Sequence, residues 1–329
     1  MHVLITGAAG MIGRKLAAQL VRNSGLGEGA VDGLTLVDMV RPDLPERAPF
    51  RLITSVTDLA APQAAARLIA DRPDVIFHLA AVVSGEAESD FEKGYRVNLD
   101  GTRALLEAIR IAGDGYRPKF VFASSIAVFG APFPDPIPDD FALTPLTSYG
   151  TQKAVCELLL ADYTRLGFIS GIGIRLPTIV VRPGAPNKAA SGFFSSIIRE
   201  PLAGREAILP VSDDVRHWFA SPRCAVGFLL HAAALALAPA RLGPRVNLTM
   251  PGLCVSVGEE IAALARIAGH KATARIRRER DPVVAKIVAG WPQSFDARRA
   301  LALGFRTDTS FDEIIRAHIE DELGGQIAG

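Results

Sequence analysis

An α/β chain built on a doubly wound parallel sheet, with a small C-terminal α/β lobe, is what this sequence predicts. Three observations carry that expectation. Short apolar runs alternate with helical patterns up to about Leu176. The runs are continuous rather than alternating, as in strands covered on both faces. A glycine-rich turn, Gly7-Ala8-Ala9-Gly10-Met11-Ile12-Gly13, joins the first run to the first helical pattern.

The elements follow in order. His2 to Thr6 reads as the first strand and Arg14 to Arg22 as the first helix. Leu34 to Val37 is a second apolar run that ends at Asp38. Ala61 to Ala70 is helical and Val75 to Leu79 strand-like. Leu99 to Ile111 is helical, Phe120 to Ala123 strand-like, Tyr149 to Arg165 a long helix and Gly171 to Leu176 a strand. Strands separated by helices imply β-α-β units and a parallel sheet. After Pro177 the rhythm breaks. Arg182 to Ser191 reads as a loop, and Phe193 to Pro201 and Val215 to Phe219 do not continue it. Ala225 to Pro239 reads as a buried helix, too short to span a bilayer, and Arg245 to Thr249 as one more strand. The tail carries helices at Val257 to Ala268 and Phe311 to Leu323. The expected division is 1–177 plus 219–249 for one domain and 178–218 plus 250–329 for the smaller lobe.

Composition bounds the function. The length, 329 residues, suits two domains, and 49% hydrophobic residues allow a sizeable core. A formal net charge of +1 offers no basic footprint for nucleic acid or an anionic membrane. The three cysteines, Cys156, Cys224 and Cys254, are far apart, which points away from disulfides and zinc and toward a reducing cytoplasm. Met1 to Ile5 shows no basic-then-apolar targeting pattern.

The glycine turn has the context of a dinucleotide site, with a strand before and a helix after. Glycine lets the chain turn tightly and lets backbone approach a pyrophosphate, and the helix N-terminus offers N–H groups to phosphate. Asp38, closing the second strand, is placed to accept from both adenosine ribose hydroxyls and to repel a 2′-phosphate, so NAD is expected over NADP. Arg41 lies three residues on.

Further along stand Ser124-Ser125, after a strand, and Tyr149 and Lys153 at the start of a helix. The last two are four apart and share one face. An ammonium beside a phenol favours phenolate, which lets tyrosine serve as base or acid near neutral pH. Ser125, at a strand's C-terminal end, is placed to hydrogen-bond a substrate oxygen. Each feature by itself is an ordinary surface contact or turn; their order downstream of a dinucleotide turn makes them a set.

With these motifs the sequence resembles the extended short-chain dehydrogenase/reductase family, which includes nucleotide-sugar epimerases and dehydratases. The resemblance implies a Rossmann fold, a homodimer formed through the helices at Leu99 to Ile111 and Tyr149 to Arg165, and site roles by motif. Gly7, Gly10, Met11, Ile12 and Gly13 would hold the pyrophosphate and Asp38 the ribose. Asp58 would face the adenine, and Leu79, Ala80 and Ala81 would line the cofactor. Asn98 would support the site, and Pro177 and Thr178 would border the nicotinamide. Ser125, Tyr149 and Lys153 would be the catalytic set, with Lys153 also on the nicotinamide ribose.

The resemblance also narrows the branch. Dehydratases of the family carry Asp-Glu after the residue matching Ser125, where this chain has Ile126-Ala127. Epimerases typically have Tyr where this chain has Phe129, and nucleotide-sugar binders an Arg-Asp-Phe-like run where it has Arg216-His217-Trp218. The wording around Pro138-Asp139-Asp140, Thr144 to Lys153 and Asn187 to Phe194 resembles the family's sugar-acid dehydrogenases. That implies NAD-linked oxidation of the 2-hydroxyl of a four-carbon sugar acid. A small hydroxy acid needs a cation or amide donors for its carboxylate. The candidates are Arg182, Lys188 and Arg216, with Ser84, Asn187 and Ser191 as neutral donors and His217 for a hydroxyl. The alternatives are a 4-epimerase with tightly held NAD and a non-catalytic dinucleotide sensor.

Overall fold

The computed structural model describes residues 1–43, 47–184, 191–235 and 242–328. Its central sheet has seven parallel strands: β1 (His2–Thr6), β2 (Gly33–Asp38), β3 (Arg51–Val56), β4 (Val75–His78), β5 (Lys119–Ser125), β6 (Ser170–Leu176) and β7 (Asn247–Thr249). They lie in the order β7-β6-β5-β4-β1-β2-β3. The strand order reverses between β1 and β4, the Rossmann arrangement, and ligands bind outside the strand C-termini at such a switch point. The inner strands read as unbroken apolar runs because both faces are covered; Val3, Ile5, Ile76 and Phe77 are all fully buried.

The helices bury one stripe each. Helix α1 (Met11–Asn23) buries Gly13, Leu16, Ala17 and Leu20. After α2 (Ala64–Ile69) and α3 (Ser84–Ser89), α4 (Gly101–Ala112) buries Leu105, Leu106 and Ile109. Helix α5 (Ser148–Arg165) is capped by Thr147, whose Oγ1 accepts from the Gly150 N–H at 3.0 Å. The stripes of α4 and α5 join Leu4, Ile76, Phe120 and Phe122 in one core.

Three local expectations need correction. The first helix begins at Met11, not Arg14, because Gly10 is its cap. The helix expected from Leu99 begins at Gly101, because Tyr95–Asp100 is a π-helical segment. Strand β3 went unread: it is an edge strand, only half buried, and its mixed sequence, Arg-Leu-Ile-Thr-Ser-Val, has no long apolar run.

The chain divides into two compact units. One comprises Met1–Val128, Pro145–Leu176 and Val226–Thr249; the other Phe129–Thr144, Pro177–Ala225 and Met250–Gly329. Residues 129–144, Pro177 and residues 219–225, expected in the sheet domain, thus belong to the second unit. There Ile137–Pro138 pairs with Phe295–Asp296, and Arg299 Nη1 meets Asp139 Oδ2 at 2.9 Å. The second unit holds a three-stranded sheet of Thr178–Ile179, Arg216–Ala220 and Leu253–Ser256, and a pair, Ala207–Leu209 with Ile276–Arg278. Helices α6 (Gly192–Leu202), α7 (Val257–Ala268), α8 (Pro282–Ala289) and α9 (Phe311–Glu322) contribute Phe194, Ile197, Leu264, Val288 and Ile314 to its core. Among the described residues no helix is long and apolar enough to cross a membrane.

Candidate active site

A groove of about 400 Å³ opens at the C-terminal ends of β1, β2 and β4. Gly7, Ala9 and Gly10 line it after β1, Asp38, Met39 and Val40 after β2, Thr57 and Asp58 after β3, and Leu79 to Val82 after β4. It therefore brings together Gly7, Gly10, Asp38, Asp58, Leu79, Ala80 and Ala81 as the sequence expected.

The backbone explains the glycines. Gly7 sits at φ 75°, and a Cβ there would lie 2.6 Å from the Ala80 nitrogen. Only glycine lets the first turn close on the β4 loop. Gly13 packs its Cα against the same turn, where a Cβ would lie 2.3 Å from the Gly7 oxygen. Gly10 caps α1 with no side-chain acceptor, and no acidic residue occupies the first turn. Those N–H groups and the positive dipole end suit an anion. Met11 and Ile12 form that first turn, half buried.

Asp38 Oδ2 accepts from the Ala9 N–H at 2.9 Å and Oδ1 from the Met39 N–H at 2.7 Å. These bonds fix its orientation, and an ionised carboxylate keeps further lone pairs for hydroxyl donors. Asp58 Oδ1 accepts from the Ala60 N–H at 3.0 Å and Oδ2 from Arg96. Burial alone would raise the Asp58 pKa, but the Arg96 and Ala60 hydrogen bonds bring it below the ordinary value. The donor set thus fits a dinucleotide: a glycine cradle, a bare helix N-terminus and two fixed carboxylates.

Ser125 ends β5, and its Oγ accepts from the Ala127 N–H at 3.2 Å. Tyr149 and Lys153 lie on the first turns of α5. A Cβ at Gly150 would lie 2.2 Å from the Ala127 oxygen, so glycine after Tyr149 lets α5 press onto the turn that follows Ser125. Lys153 is 3% exposed. Its Nζ donates to the Ala123 carbonyl at 2.8 Å, 4.7 Å from the Phe122 ring centroid and 5.8 Å from that of Tyr149. Burial lowers its pKa to about 8, with Cys156 and Glu157 opposing. The amine is therefore still mostly ammonium at neutral pH.

Behind this set lies a network the sequence reading missed. Arg175 pairs with Glu157 through Nη2 and Oε2 at 2.8 Å, and Ser124 Oγ donates to Glu157 Oε1 at 2.5 Å. Glu157 stands four residues after Lys153, a helix-face spacing that flags it in retrospect. Asn98 is 1% exposed and bonded to Val82 and Gln152. Ser84 opens α3, half buried.

The other expected substrate residues lie in the second unit. Arg182 donates through Nε to the Ile179 carbonyl at 3.0 Å and through Nη2 to Ser191 Oγ at 3.2 Å, so these two candidates bind each other. Arg216 is exposed, with Nη2 on the Cys254 carbonyl at 3.0 Å. His217 departs most from expectation. It is 3% exposed, stacked on Phe194, and its Nε2 meets Thr178 Oγ1 at 2.6 Å. Burial lowers its pKa to about 3, so it is a neutral, packed ring. Pro177 is buried beside Thr178. Asn187 and Lys188 lie outside the described residues.

Residues 3–234 match the NAD dependent epimerase/dehydratase family. The chain belongs to that family. It is 49% identical over 325 residues to a D-erythronate dehydrogenase of Cupriavidus necator, with 98% of each chain covered. It is 43% identical to one of Haemophilus influenzae, covering 98% of this chain and all of that one. A solved structure described as a nucleoside-diphosphate-sugar epimerase from Agrobacterium tumefaciens is 59% identical, covers 100% of this chain and 96% of that one, and superposes with a TM-score of 0.96. The names attached to these relatives differ, and the difference bears on the reaction.

Proposed function

We propose that this chain is an NAD-dependent dehydrogenase that oxidises the 2-hydroxyl of a four-carbon sugar acid, D-erythronate, to the 2-oxo acid. The observation that carries it is full-length similarity to two D-erythronate dehydrogenases, in a chain that carries Ser125 at the end of β5 and Tyr149 and Lys153 on the first turns of α5. A nicotinamide dinucleotide, when bound, supplies the hydride acceptor. Gly7, Gly10 and the start of α1 hold its phosphates. Asp38 takes the adenosine ribose and disfavours a 2′-phosphate; Arg41 is not among the residues lining the groove. Lys153 uses one N–H on Ala123 and offers the others to the nicotinamide ribose. Its charge favours the Tyr149 phenolate. Tyr149 takes the proton from the C2 hydroxyl, Ser125 orients that oxygen, and the C2–H bonding pair leaves as hydride. For assembly, a homodimer through α4 and α5 is expected; Ile111 and Leu158 are 69% and 65% exposed there.

Tyr149→Phe is expected to lower turnover by about 10²–10⁴-fold, the usual worth of a positioned acid-base group, with NADH still bound. Near-normal turnover overturns the assignment. The name of the Agrobacterium structure favours a second reading, epimerisation of a nucleotide sugar. One assay separates the two: NADH appearance with NAD and D-erythronate, against isomer formation from a UDP-sugar without net NADH. Preference for NADP would overturn the role given to Asp38.

A further inference from the structure

We infer that Gln152 is a positioning residue that holds the catalytic helix in register with the wall of the cofactor groove. The inference rests on the reading of Tyr149 and Lys153 given above.

Gln152 immediately precedes Lys153, and its side chain is fully buried. Its Oε1 accepts from Asn98 Nδ2 at 2.7 Å. Asn98 in turn grips Val82 in both directions: the Val82 N–H donates to Oδ1 at 2.7 Å, and Nδ2 donates to the Val82 carbonyl at 2.9 Å. Val82 lines the groove. Two amides therefore connect the helix carrying Tyr149 and Lys153 to the strand-end loop against which a dinucleotide lies. Every polar atom of Asn98 in this relay is used, so its position leaves little slack.

The backbone has been shaped around the relay. Asn98 lies in the π-helical segment Tyr95–Asp100, where the Gly101 N–H reaches back to the Arg96 carbonyl. π-Turns are rare and cluster at functional sites. The Asn98 carbonyl accepts from Thr102 Oγ1 at 2.6 Å and from Cys156 Sγ at 3.3 Å. Cys156 is on α5, so a second bond ties the same turn to the same helix. A Cβ at Gly94 would stand 2.7 Å from Gln152 Nε2. Glycine there leaves the space that the amide fills. Nε2 itself is buried with no hydrogen-bond partner among the described residues. A side chain kept for fold stability alone has no use for such an orphan donor, whose burial is unfavourable. The acceptor oxygen is the half of Gln152 that the site needs.

The test uses Gln152→Met, which keeps the volume and removes the acceptor, Gln152→Glu, which keeps an acceptor oxygen, and Gly94→Ala, which crowds the amide from outside the helix. Gln152→Met is expected to lower kcat by about 10-fold or more, since small misplacements near the chemistry are costly. Its melting temperature should change little, because one orphan donor replaces another. NADH affinity, read directly by fluorescence, should weaken by a smaller factor than kcat falls. Gln152→Glu should recover most of the lost kcat. Gly94→Ala should lower kcat, and the loss should shrink when combined with Gln152→Ala. A Gln152→Met enzyme with wild-type kcat, or one that only melts earlier at unchanged kcat, overturns the inference. If the variants are silent while Tyr149→Phe is inactive, only the role of Gln152 falls. If Tyr149→Phe is active, the underlying reading falls first.

Discussion

Two of the buried glutamates, Glu157 in the first unit and Glu260 in the second, are in opposite situations. Glu157, on α5, is 1% exposed, and both carboxylate oxygens are engaged by Arg175 or Ser124. Glu260, on α7, is fully buried, and neither oxygen has a hydrogen-bond partner among the described residues. A buried carboxylate is tolerated as an ion only when paired and hydrogen-bonded; without partners it takes up a proton. Burial accordingly pushes the Glu260 pKa well above its ordinary 4.5. The first unit has arranged donors around a charge four residues from Lys153. The second has kept an acid in its core with no counterpart.

The largest effect that would break this contrast is expected at the pair. Glu157→Gln leaves the Arg175 guanidinium buried without its counter-charge and should destabilise the protein by about 3–5 kcal/mol, measured by denaturant unfolding. A loss under about 1 kcal/mol would mean that water already reaches the pair, as at exposed ion pairs. Glu260→Leu should act in the opposite direction, stabilising by about 1–3 kcal/mol at neutral pH, since it removes an unsatisfied buried group. Destabilisation by that substitution would show that Glu260 has a partner in solution.

pH sharpens the contrast further. The folded Glu260 binds its proton more tightly than the unfolded chain does. Its stabilising share is therefore complete below the ordinary value of 4.5 and is lost as pH rises through the raised folded pKa. Unfolding curves of wild type and Glu260→Leu should diverge as pH rises above that value; parallel curves would sink the assignment. His78 has the reverse sign. Its ring nitrogens meet Thr6 Oγ1 at 2.7 Å and Thr102 Oγ1 at 2.8 Å, and burial, with the nearby Lys153 charge, lowers its pKa to about 3. The unfolded chain binds the extra proton between 6.5 and about 3, so this contribution falls as pH drops below 6.5. Replacing His78 with Asn should flatten that acid limb. The smallest effect belongs to Arg216→Gln. The side chain is exposed and bonded to one carbonyl, so stability should change by less than about 0.5 kcal/mol. Its effect on the KM for the sugar acid tests its expected role directly.

The two units also differ in how far the sequence exposed them. In the first, strands buried on both faces leave apolar runs, and Gly7, Asp38, Tyr149 and Lys153 follow from fixed spacings around them. The exception, Arg51–Val56, is half buried at the edge and left no such run. In the second, strands of two to five residues carry no periodicity long enough to read. His217 looked like a polar residue free for substrate, and became a stacked, neutral ring bonded to Thr178.

The amino-acid order by itself determined the doubly wound sheet, the glycine turn with its acid, and the order Ser125, Tyr149, Lys153. Those features depend on local backbone geometry and on residues one helical turn apart. Tertiary structure alone decided that Asn98 meets both Val82 and Gln152, that Arg96 reaches Asp58 and that Arg175 neutralises Glu157. These partners are separated by 16 to 54 positions in the first case, 38 in the second and 18 in the third. Their pairing depends on how strands and helices stack and on where a π-turn rotates the chain. No local propensity encodes that.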